Sequence, residues 1–113
     1  MRKQMIEAAA LELATQVRTV EESIEGALAE LAELQARMVH ARSVTGAGFV
    51  NSHAPFEQLA AATTGIVAAR GSIAQCHAAL VETRKSIPGL RPVAIGDNEC
   101  PPAQAAAGLR IVA

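Results

Sequence analysis

Three basic side chains, Arg70, His77 and Arg84, recur seven residues apart, with Thr63 one step before them. They stand in a stretch with almost no other charge: between Gln58 and Val81, Arg70 is the only Lys, Arg, Asp or Glu. On a helix this spacing lines them along one ridge. Two guanidiniums flanking an imidazole offer forked donors for the carboxylate or phosphate of an anionic ligand or an acidic peptide. The competing reading is structural, with the same side chains paired to glutamates of a neighbouring helix. If the chain folds back about a turn near Val50, Arg84 and His77 come opposite the zone from Val17 to Ser23, where Glu21 and Glu22 lie. Structural ion pairing is the reading we expect for the ridge.

Cys76 and His77, together with His40, His53 and Cys100, are the side chains able to ligate a metal or to act as nucleophile and base. Their spacing argues against both uses. Adjacent residues on a helix point about 100° apart, whereas metal ligands converge from one face. His40 and His53 flank a short connection, yet two imidazoles make an incomplete site. We expect a core thiol, surface histidines and no metal. In Asp97-Asn98-Glu99-Cys100-Pro101-Pro102 the carboxylates raise rather than lower a thiol pKa, and no base stands nearby to make a thiolate. The segment reads as a turn followed by a stiff polyproline stop.

The chain shows no phosphate loop, nucleophile elbow, paired CxxC motif or nucleotide fingerprint, and none of its histidines follows a glutamate at the Glu-x-x-His spacing of di-iron bundles. No catalytic residue, cofactor or metal is therefore assigned, and we expect a protein that is not an enzyme.

The elements that would position these residues are helical. From Lys3 to Val44 there is no Pro and one Gly, and apolar or small residues follow a four-three alternation through Ile6, Ala10, Leu13, Val17, Val20, Ile24, Ala27, Leu31, Leu34, Met38 and Ala41. That is a sustained heptad seam. Glu7, Glu12, Arg18, Glu21, Glu22, Glu25, Glu30, Glu33 and Arg37 are expected on the solvated face, while Leu11, Leu28 and Val39 widen the apolar one. Gly46 and Gly48 suit the end of this helix, Asn51 or Ser52 the cap of the next, and Pro55 its first turn. Phe49, Val50 and Phe56 are expected to close the apolar end of the resulting hairpin.

In the second helix Leu59, Ile66, Ile73, Leu80 and Ile87 form a row of large residues, with Ala62, Ala69, Cys76 and Thr83 as the small row expected to share its seam. Ala60, Val67, Ala74 and Val81 form a further apolar row about 100° around the helix. The basic ridge runs between. One partner helix cannot cover both seams.

The sequence thus predicts an all-α fold: a long antiparallel helical hairpin over 1–87, with helices at about 4–44 and 54–87. A Pro- and Gly-containing tail, 88–113, is expected to dock on it as irregular structure. Half the residues are hydrophobic, but the chain has two Phe, no Trp and no Tyr, and Ala dominates. Ala brings helix propensity and close approach while burying few methylenes, at about 0.8 kcal/mol each. A lone hairpin is therefore thin, and two of them are expected to form a two-fold homodimer, a four-helix bundle of coiled-coil character. The formal charge of −1 creates no field for nucleic acid or anionic membrane. The least charged window still holds Gln58, Thr63, Thr64, Arg70, Ser72, Gln75 and His77, too polar for a membrane span. Glu7 and Glu12 interrupt any signal-peptide core, and two free thiols fit the cytoplasm. Two functions remain: an oligomeric helical adaptor or small assembly component acting through its surface, or a small-ligand or metal sensor using the ridge or the Cys and His residues. The first predicts arginines paired with glutamates, the second a pocket into which Arg70 or His77 points without a carboxylate. Arg70, His77 and Arg84, with Ala60, Val67, Ala74 and Val81, are the candidate interaction residues.

Overall fold

A computed structural model describes residues 1–87, and the expected tail with its docking lies outside them. Two helices make up the described chain, α1 (Arg2–Thr45) and α2 (His53–Arg84), and no strand occurs among the described residues. This is the all-α helical hairpin the heptads predict. Each helix ends on a cation, Arg42 in the last turn of α1 and Arg84 in that of α2, where the negative end of the helix dipole favours it. Beyond Arg84, amides of Lys85, Ser86 and Ile87 bond back three residues, so the expected last turn is drawn tighter than α-helix.

Gly46 adopts φ +69, the left-handed conformation that stops a helix at the residue after its cap. The turn behind it is tied down by short-range bonds. Arg42 donates from Nη1 to Ala47 O at 3.0 Å, and Thr45 Oγ1 donates to Ala41 O at 2.8 Å. The Ser52 hydroxyl, expected at the cap of α2, instead donates to Gly48 O at 2.7 Å, and Ser52 N donates to the same oxygen at 3.0 Å.

The chain divides into two compact units. One comprises Thr19–Ala74, and the other joins Met1–Arg18 to the chain from Gln75 onward. In the first, Val20, Glu21, Ile24, Ala27, Leu28, Leu31, Met38 and Arg42 of α1 are the covered residues, against Phe56, Leu59, Thr63, Ile66 and Ile73 of α2. Arg70 meets Glu25, so the fold is centred between Ala47 and Gly48, about two residues before Val50. In the second unit Glu7, Ala10, Ala14 and Val17 are covered on α1, and His77, Leu80, Val81, Arg84 and Ile87 on the other side.

These patterns confirm one predicted row and correct its companion. The large row of α2 is covered as expected, but Ala62, Ala69, Cys76 and Thr83 are exposed. Phe56, Thr63, His77 and Arg84, from the basic ridge side, share the covered face instead. Both choices obey four-three spacing. Volume decides between them: an aromatic ring, an imidazole and the methylene stem of an arginine bury more area than alanine and cysteine. On α1 the face is likewise turned toward Ala14, Glu21, Leu28 and Arg42, leaving Ile6, Leu13 and Leu34 exposed. The core remains thin. Among the described residues only Ala10, Ala14 and Leu59 are buried hydrophobics, and no large side chain is fully enclosed.

Candidate functional site

The ridge splits into two chemically different parts. Arg70 lies at the surface, its side chain and that of Glu25 each 58% exposed, and its Nε donates to Glu25 Oε1 at 2.5 Å. This charge-assisted hydrogen bond raises the Arg70 pKa above its ordinary value. The Coulomb attraction of Glu25 reinforces the rise, partial desolvation opposes it, and Glu21 adds a smaller attraction. The charge of Arg70 is thereby matched within its own unit.

His77 and Arg84, by contrast, are 5% and 7% exposed. Each holds a polar or electrostatic interaction. Arg84 lies beside Ile6, Ala9, Ala10 and Leu13 of α1, not opposite the expected zone from Val17 to Ser23. The earlier centre of the turn accounts for that offset.

The adjacent Cys76 and His77 reverse the expected arrangement. The thiol is exposed and free while the imidazole is buried, as a 100° step around the helix requires when the ridge faces inward. His40 is exposed, and His53 lies 3.5 Å from Glu57 on the same helix, an ion pair when the imidazole is protonated. Cys100 lies outside the described residues. Among the described residues no group of three or more His, Cys, Asp or Glu side chains is placed to hold a metal. No helix among them is long and apolar enough to cross a membrane.

The second apolar row is open over most of its length. Ala60 and Ala74 are exposed and Val67 is 53% exposed, while Val81 is half-buried. Beside it, a Cβ added at Gly71 would meet nothing within 4 Å. The hydroxyls of Thr63 and Thr83 donate to the carbonyls of Leu59 and Ala79, four residues back, so they ask little of a neighbour. The outer side of α2 is therefore smooth, small-sided and nearly uncharged.

A second exposed apolar feature escapes sequence reasoning. Phe49 and Val50, expected to close the hairpin end, are 77% and 84% exposed, and Val44 beside them is exposed as well. Only Phe56 turns inward. Gly46 and Gly48, both just before Phe49, are the legible signal, since they commit this stretch to a turn that projects its side chains.

The last feature is an open apolar groove of about 260 Å³, lined by Ile6, Ala9, Ala10 and Leu13 on one side and Leu80, Thr83, Arg84 and Ile87 on the other. Ala9 and Ala10 give it depth between longer neighbours. No protein-family model matches the chain, and no curated protein or solved structure is similar to it at a significant level.

Proposed function

We propose that this chain is a non-enzymatic structural and protein-interaction module, an oligomeric helical adaptor or small assembly component that acts through its surface. Its hairpins pair into a two-fold dimer, a four-helix bundle closed by the row Ala60, Val67, Ala74 and Val81. The observation that carries this reading is the bare outer side of α2. Contiguous exposed apolar surface of this kind marks an interaction site in a protein, and a helix free of charge on its outer side is ordinarily a covered one. The one guanidinium at its border, Arg70, is matched by Glu25 and adds little repulsion between copies. Covering this side supplies the burial that three small or medium core residues cannot. The partners are copies of itself and other proteins, in a cytoplasmic setting that suits the free thiol of Cys76.

Sedimentation equilibrium or light scattering across micromolar concentrations tests the reading. A dimer is expected throughout, and a stable folded monomer would refute it. The sensor alternative gains no support from Arg70, which has the carboxylate partner the adaptor reading predicts.

A further inference from the structure

The groove lies wholly within one unit, between the Met1–Arg18 stretch and the chain from Gln75 onward, and its alanine floor has aliphatic walls. Its volume of about 260 Å³ exceeds the about 150 Å³ of a cavity that holds a benzene ring. A stable interface between separate proteins buries about 800 Å² on each, the area of several aromatic side chains, and a groove of this size offers far less. An occupant so small stays bound only if something else holds it near. A short tether does this, since it gives a linked segment an effective concentration in the millimolar range.

The chain supplies that tether. Ile87, the last of the described residues, is itself part of one wall of the groove. Pro88 and Gly89 follow it at once, a pair that does not prolong a helix and suits a reversal of direction. Then come Leu90-Arg91-Pro92-Val93-Ala94-Ile95 and the turn residues Gly96-Asp97-Asn98. Pro92 biases Arg91 toward extended backbone, and on an extended segment Val93 and Ile95 share one side. A valine and an isoleucine side chain together carry about as many carbons as a benzene ring. Reach is sufficient as well. Leu80 and Ile87 stand about 10 Å apart along the helix, whereas the six residues from Ile87 to Val93 extend up to about 20 Å, enough to turn back over the whole groove. The other apolar run beyond Ile87, Leu109-Arg110-Ile111-Val112, begins 22 residues after it and holds a charge in its midst. Its longer tether lowers its effective concentration.

We infer that Val93-Ala94-Ile95 docks in the groove of its own chain, with Val93 and Ile95 set between Ile6 and Leu13 on one wall and Leu80 and Ile87 on the other. The dimer proposed above plays no part in this contact. Filled from within, the groove is closed to other proteins.

Thiol protection tests the contact. In the full chain with Cys76→Ser and Cys100→Ser, Ala9→Cys in one variant and Thr83→Cys in another place a thiol on each wall of the groove. Both positions are exposed among the described residues, and circular dichroism checks the fold. Maleimide labelling of each thiol is expected to speed up about tenfold when Val93→Asp and Ile95→Asp are added, because an apolar groove does not accept an ionised carboxylate. Leu109→Asp with Ile111→Asp should leave the rates unchanged. Excess cysteine-free chain with its tail intact, equilibrated with the Val93→Asp, Ile95→Asp variants, should not restore protection. Rates indifferent to Val93→Asp and Ile95→Asp, a speeding by the Leu109 and Ile111 changes instead, or protection restored by the added chain would each overturn the inference. The two probes stand on different walls, so if one variant does not fold the other decides, and sedimentation tests the dimer separately.

Discussion

Replacing the helical glycines by alanine tests the proposed dimer separately from the single subunit. Gly26, Gly65 and Gly71 lie inside helices, and a Cβ at any of them meets nothing within 4 Å. Within one subunit the side chain is therefore free of steric cost. The gain in helix propensity, with the entropy removed from the unfolded chain, is about 0.4–1 kcal/mol per site. For a chain of this size each substitution should raise the midpoint of thermal unfolding by roughly 2–8 °C. The assay is unfolding at two protein concentrations, one well below and one well above the dissociation constant of the dimer. Gly26→Ala is expected to gain the same amount at both. Gly71→Ala, beside the row Ala60, Val67 and Ala74 on α2, should gain it when dilute and lose part or all of it when concentrated, because the new methyl stands where a second helix must approach, whereas Gly65→Ala, on the opposite side of α2 from that row, should gain it at both. A loss of stability at the dilute concentration would refute the placement of these glycines in open space. Equal gains for Gly71→Ala at both concentrations would remove the outer side of α2 from the dimer.

The two ends of the basic ridge should respond differently to truncation. Arg70→Ala is expected to cost only about 0.2–1 kcal/mol, as exposed ion pairs do, and less in high salt; a double-mutant cycle with Glu25→Ala measures the pair directly. The Arg70 pKa is raised by Glu25, so its contribution is fully present below the unfolded value and is lost only as pH climbs through the higher folded one. Salt rather than mildly basic pH is therefore the lever, and a marked loss of stability between neutral pH and pH 10 assigned to Arg70 would contradict this. Arg84→Ala, which strips a buried stem, should cost roughly 2–3 kcal/mol by urea denaturation, with Arg84→Met recovering part of it. In a Cys100→Ser background, Cys76 should react with a maleimide in the folded protein at close to the rate of the unfolded chain, and a hundredfold protection would contradict its exposure.

Much of this architecture is legible in the residues. The proline-free run before Val44, Gly46 in the left-handed region and Pro55 in the next first turn define both helices and the turn between them. The row Leu59, Ile66, Ile73, Leu80 and Ile87 is legible because large aliphatics at heptad spacing have few alternatives. Its companion row was not. Spacing permits two neighbours for such a row, and apolarity favours Ala62, Ala69 and Cys76, whereas the structure buries His77 and Arg84. Pattern counts treat an arginine as a single polar point, although three of its methylenes pack as an aliphatic side chain does. The projection of Phe49 was missed for a related reason: hydrophobicity predicts what benefits from burial, not whether a braced turn allows it.

The groove also bears on how the chain folds. Glu25 and Arg70 are 45 residues apart, while the walls of the groove bring Ile6 and Leu13 of one helix near Leu80 and Ile87, residues 67 or more apart in sequence. Loop-closure entropy disfavours such pairings until nearer ones have shortened the effective loop. The hairpin should therefore zip from Gly46 outward, with the groove forming last and opening first in native-state hydrogen exchange.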